Sequence, residues 1–172
     1  MDDINRYITQ LQRNMEAITS LLAKKDEQEY QWKKNPNKWS LLEIICHLVD
    51  EEKEDFRVRL KNVLETPDKR PPLFDPLEWV KSRKYQSQNF DDKLSEFISE
   101  REKSLGWLKT LEHKNWEQGY DYADFGHVNG HFFINNWVAH DYLHIRQITR
   151  VHYDYLQSMS AVNVSYAGKW KC

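Results

Sequence analysis

The chain has 172 residues, enough for one domain whose core needs no covalent staples. Its 25 Lys and Arg against 27 Asp and Glu leave a formal charge of −2, and no basic stripe of the kind that grips nucleic acid. No stretch approaches the ~20 apolar residues of a membrane span.

Ile4, Tyr7, Ile8, Leu11, Met15, Ile18, Leu21 and Leu22 step by three and four, which predicts a helix from about Asp3 to Gln28. Asn35-Pro36-Asn37-Lys38 breaks the pattern. Ser40-Leu41-Leu42-Glu43 reads as a capping box, with Trp39 and Ile44 placed to clamp the first turn as a hydrophobic staple. The second helix then continues through Ile45, Leu48, Val49, Phe56, Leu60, Val63 and Leu64 to about Thr66-Pro67. A long connection follows to Asn89, in which Asp75 and Pro76 can cap and start a short helix. Phe90, Leu94, Phe97, Ile98, Arg101, Leu105, Leu108 and Leu111 carry a third helix. Residues 112–130 read as a structured loop, because β-type alternation is hard to find anywhere. The fourth helix runs from about Phe132 to Leu156, and the tail to Cys172 shows no period.

Four amphipathic stripes must cover one another, so the expected fold is all-α: one domain over residues 1–172, a four-helix bundle. The two long middle connections argue for crossovers rather than a simple up-down series. Met1 to Thr9 lacks the basic-then-apolar order of a signal peptide, and Cys46 and Cys172 make no disulfide framework, so a cytoplasmic protein is expected.

The seven histidines carry the chemistry. His140 and His144 lie four apart in the fourth helix, a spacing that makes them neighbours roughly 5–6 Å apart at Cβ. Phe133, Trp137, Ile148 and Val151 lie along much of the same face, which should point inward. Two buried imidazoles each need a partner, and an unpaired buried polar group costs roughly 1–3 kcal/mol. A shared metal ion satisfies them; bonding to each other, to Tyr142 or to water would also do so. His47, in the apolar run Ile44-Ile45-Cys46-His47-Leu48-Val49, adds a third imidazole from a facing helix. Three protein ligands plus an open position is the catalytic pattern for zinc. The expected metal ligands are therefore His47, His140 and His144.

Other candidates are weaker. His127 and His131 share the same spacing, but Asn129-Gly130 suggests a turn; His131 is placed near the start of the fourth helix, where the rim of the site is within its scope. His113 and His152 are expected in solvent. Cys46 should point about 100° from His47 and pack in the core. Glu43 is assigned to the capping box and Glu51 to solvent, although both could reach the site from His47's face. Asp141 could fix the tautomer of a ligand imidazole, and Arg146 could meet an anionic substrate, though a surface role is its default.

Two blocks resemble the DinB/YfiT-like metalloprotein superfamily: Lys38-Trp39-Ser40-Leu41-Leu42-Glu43-Ile44-Ile45-Cys46-His47-Leu48, and Val138-Ala139-His140-Asp141-Tyr142-Leu143-His144-Ile145-Arg146-Gln147-Ile148. In that family a Trp-Ser pair opens the second helix, a histidine follows within it, and a His-x-x-x-His pair closes the site from the last bundle helix. The resemblance implies a single divalent ion, often zinc or nickel, on His47, His140 and His144, and frequent homodimers. It also implies chemistry in which a low-molecular-weight thiol meets a small electrophile. A metal ion with three neutral ligands favours the thiolate form of a coordinated thiol, and the expected function is a metal-dependent thiol S-transferase. Hydrolysis by an activated water stays open, as does a non-catalytic module that binds metal or ligand in stress or interaction.

Overall fold

The four stripes become four long helical stretches in the computed structural model, which describes residues 4–71, 75–168 and 170. Helix α1 (Ile4–Leu22) buries Ile8, Leu11, Asn14, Ile18 and Leu22 along one face. It stops short of Gln28 because Lys24 adopts a left-handed backbone with φ of 57°. Asp26 then caps a separate short helix α2 (Glu27–Gln31), its carboxylate accepting from the Glu29 N–H at 2.9 Å.

The second bundle helix is built of three continuous pieces. They are α3 (Leu41–Asp50), a wider π-helical stretch (Glu51–Phe56) and α4 (Arg57–Glu65). The capping box forms: Ser40 Oγ accepts from the Glu43 N–H at 3.2 Å, and the Ser40 N–H donates to Glu43 Oε2 at 2.9 Å. Trp39 packs against the apolar cluster that contains Ile44, and every residue of α3 is buried.

The connection carries α5 (Pro76–Ser82), with Asp75 as cap and Pro76 in its first turn. Helix α6 (Phe90–Leu108) is capped by Asn89, and α7 (Gly130–Met159) by Asn129. Helix α1 packs on α6 and α7, and α3 packs on the same two. None of the described helices is long and apolar enough to cross a membrane.

The segment before α7 is more than a loop. Strands β1 (Gly119–Tyr122) and β2 (Gly126–Asn129) pair antiparallel, with Gly119 opposite Asn129 and Tyr122 opposite Gly126. The Phe125 N–H donates to the Tyr122 carbonyl at 3.1 Å, and Gly126 takes φ of 69°. That is a three-residue hairpin loop closed by a left-handed glycine. Only four residues lie on each strand, so the period-2 signal is too short to stand out against the flanking loop.

The core falls into two apolar halves separated by a polar layer. Leu11 and Ile18 belong to different halves, and so do Phe56 and Val49, Leu105 and Phe97, and Trp137 and Ile148. Between the members of each pair sits a buried polar side chain that joins a common network: Asn14, Glu52, Arg101 and Asp141 respectively. Arg101 Nη1 and Nη2 donate to the two Asp141 oxygens at 2.8 Å each, and Nε lies 3.0 Å from both Glu52 oxygens. Arg101 also reaches the Leu11 carbonyl at 3.1 Å, Asn14 donates to Asp141 at 3.2 Å, and Trp137 Nε1 donates to Glu52 at 3.0 Å. Burial opposes the Arg101 charge, but Asp141 and Glu52 more than offset it and raise its pKa. One guanidinium therefore ties all four helical stretches at a single level.

Candidate metal centre

One helical turn from that layer, three imidazoles converge. His47 comes from α3, His140 and His144 from α7. The Nε2 atoms of His47 and His140 are 3.3 Å apart, and those of His144 and His140 are 3.1 Å apart. All three ligand atoms lie within 4.8 Å of one another. Among the described residues this is the one group of three His, Cys, Asp or Glu side chains gathered in this way. In a tetrahedral site with bonds of ~2.0–2.1 Å, ligand nitrogens stand roughly 3.3 Å apart.

Burial pushes the His47 imidazole down to about 3, with His144 adding to the effect. Burial likewise takes His140 to about 2, reinforced by His144 and His47. His144 falls to about 4 through burial, opposed by the nearby Gln147 side chain and the Asp141 charge. All three rings are neutral near pH 7, the form that ligates metal. Three neutral rings facing one point cannot satisfy each other, because an N–H on one Nε2 serves one acceptor and leaves another lone pair without a donor. A cation satisfies all three at once, so the residues present fit a divalent metal.

The walls are aromatic. Trp39 meets His47 edge-on with ring centroids 4.9 Å apart and lies nearly parallel to His144 at 6.5 Å. Phe56 sits 4.9 Å from His140 and stacks on Trp137 at 5.8 Å. These rings shield one side from water and leave His144 8 % exposed.

Glu51 departs from expectation. It is buried rather than solvated, and its Oε1 has no hydrogen-bond partner while lying 3.8 Å from the equally unpartnered His47 Nδ1. Burial, with Asp55 adding, raises its carboxyl to about 8. The π-helical turn explains the placement, since residues five apart share a face there; Glu51 and Phe56 both turn inward, with Glu52 beside them. In the sequence, Glu51-Glu52-Lys53-Glu54-Asp55 reads as a run of solvated charge. The usable signal was Arg101, which stands in the apolar stripe of its helix and requires buried carboxylates somewhere.

Asp141 does not orient a ligand ring; it turns to Arg101 and Asn14 instead. Glu43 stays in the capping box and pairs with Lys33 at 2.9 Å. Cys46 is buried against the Tyr85 carbonyl, and burial pushes its thiol up to about 12. His127 lies on β2, so it has no helical register with His131, which pairs with Glu117 at 3.3 Å. His113 is exposed as expected. His152 is half-buried, with Nε2 3.0 Å from the Leu21 carbonyl and Nδ1 3.3 Å from Glu29. Cys172 lies outside the described residues.

Fold and site together define a four-helix bundle with a cluster of three imidazoles, those of His47 and His144 buried and that of His140 half-buried. The DinB superfamily model matches residues 10–148, and the chain belongs to that superfamily. Among solved structures it is similar to YfiT from Bacillus subtilis, with 15 % identity and a TM-score of 0.78 over 90 % of this chain and 89 % of that one. That protein is described as a probable metal-dependent hydrolase with an unusual four-helix bundle topology. At this identity the likeness carries the fold. No curated protein matches the chain.

Proposed function

We propose that the chain holds one divalent cation, zinc or nickel, on the Nε2 atoms of His47, His140 and His144, and that it is a metal-dependent thiol S-transferase acting on small electrophiles. The single observation that carries the reading is the convergence of three neutral ring nitrogens within 4.8 Å of one another, with His140 Nε2 3.3 Å from His47 Nε2 and 3.1 Å from His144 Nε2. Three protein ligands leave a position for a small molecule, and the bound ion would supply the positive charge that favours a thiolate over a thiol at neutral pH.

The chain's own residues supply the rest. The imidazoles fix the position of the reacting group, and Trp39 and Phe56 keep that side dry. Glu51 Oε1 lies 3.8 Å from His47 Nδ1, placed so that, once the charge of a bound ion favoured its carboxylate form, it would accept from the ring N–H and hold the Nε2 lone pair toward the ion. The Cys46 thiol, held protonated by its burial, leaves the incoming thiol as the nucleophile.

Hydrolysis is the second reading, favoured by the likeness to YfiT and its description. A homodimer in the cytoplasm belongs to the same proposal. Exposed Tyr142, Leu156 and Met159 on one face of α7 support contact with a second copy.

Purified protein loaded with zinc or nickel, and the same protein after chelation, should be assayed with a generic aryl-halide electrophile and a panel of thiols. The transferase reading expects turnover only with metal and thiol together. Metal-dependent cleavage of an activated ester without thiol would favour the hydrolase instead. Stoichiometric metal with neither activity would leave a binding module.

A further inference from the structure

A cleft of about 760 Å³ opens beside the imidazole cluster, within the size range of small-ligand sites. One wall is a face of α7, from Leu143 through Gln147 to Asp154; the other is the connection from Trp32 to Trp39, with Trp170 at the side. His144 lines it, so the cleft reaches the ring whose Nε2 faces the centre.

The charges around it are not those of the whole molecule. Lys34, Lys38, Arg146 and Arg150 line the cleft against a single carboxylate, Asp154, in a chain whose net charge is −2. Asp154 is already engaged, 3.2 Å from Lys34 and 2.9 Å from Arg150. Lys38 and Arg146 are exposed, and no carboxylate of the described residues pairs with either. A concave surface of one sign concentrates counter-charge well beyond what scattered surface charges do. Trp32, Trp39 and Trp170 add flat apolar walls.

We infer that this cleft is the binding site for a small anionic molecule bearing one or more carboxylates, gripped at its acid end by Lys38 and Arg146 with its reacting end at His144. The inference rests on the proposed metal centre for the role of that reacting end, but the anion site is built from residues that do not touch the ion. Arg146 recognises a carboxylate through two parallel N–H donors, and Lys38 as a point charge. A thiol substrate of the transferase would accordingly carry acid groups rather than amines.

Two titrations separate this claim from the metal reading. The first uses metal-free protein, following tryptophan fluorescence during addition of succinate or its neutral analogue succinamide. Succinate should bind saturably and succinamide at least tenfold more weakly. That preference should vanish in the Lys38→Gln/Arg146→Gln double variant and shrink at high salt, where exposed charges are screened. The second uses cobalt(II)-loaded protein, with the thiolate-to-cobalt absorption read for mercaptosuccinate, 2-mercaptoethanol and cysteamine. Mercaptosuccinate should bind at least tenfold tighter than the neutral thiol and cysteamine weakest, with the order flattened in the double variant at unchanged cobalt stoichiometry. Equal binding of succinate and succinamide, or a preference the double variant retains, overturns the anion site. Failure to take up cobalt, with the succinate preference intact, overturns only the metal centre.

Discussion

Two buried polar clusters sit about one helical turn apart, and they are finished to different degrees. In the Arg101 layer every charge meets its opposite: five guanidinium contacts to carboxylates and a carbonyl lie between 2.8 and 3.1 Å, and Asn14 and Trp137 cover oxygens besides. The imidazole cluster has three ring nitrogens pointed at one spot, while His47 Nδ1 and Glu51 Oε1 stay unpartnered. Burial of polar groups without partners is costly, and a divalent ion is the partner that would suit these ring nitrogens. The first layer closes on its own atoms; the second is the one the proposed ion would complete.

That contrast can be broken most severely at Arg101. Arg101→Met leaves Glu52 and Asp141 buried without their cation, and should cost about 3–5 kcal/mol in urea unfolding. A loss under ~1 kcal/mol would mean the layer does not hold the helices together.

Acid acts next. The three imidazoles have folded pKa values of about 3, 2 and 4, all below the ordinary 6.5. The unfolded chain therefore binds more protons below pH 6.5, and each ring removes up to about 1.4 kcal/mol of stability per pH unit as pH falls toward its folded value. Glu51, raised to about 8, acts in the opposite sense. Its contribution is full below its ordinary 4.5 and is lost as pH rises toward 8. Metal-free protein should thus be most stable near pH 6.5 in denaturant melts taken between pH 4.5 and 8. A monotonic rise across that window would contradict the assigned burial of Glu51.

The smallest effect belongs to Glu51→Gln. It should weaken metal affinity about 10–100-fold, as loss of an outer carboxylate does, and remove the decline in stability above pH 6.5 in the same melts. Unchanged affinity in a competitive chelator titration would place Glu51 outside the site's support.

Much of this was legible in the sequence because the signals were local and strong. The Ser40–Glu43 capping box, the Asp75-Pro76 helix start and the His140–His144 spacing all rest on contacts within one turn, and the structure keeps them. The convergence of His47 on that pair needs two helices to dock. It could be expected because the apolar stripes and the family-like blocks fixed which faces meet. What escaped depends on longer or subtler geometry. A π turn has no residue signature, so Glu51 reads as solvent-facing, and Asp141's partner lies 40 positions away at Arg101. The hairpin was missed because its alternation spans only Tyr120 to Tyr122 before the turn.

The most direct test is elemental analysis of the purified protein beside His144→Ala, with circular dichroism to show that both remain helical. One divalent ion per wild-type chain and none in the variant is the expected result. A wild-type chain that takes up no stoichiometric zinc or nickel, or a variant that keeps its full complement, would contradict the assignment of the three imidazoles as ligands.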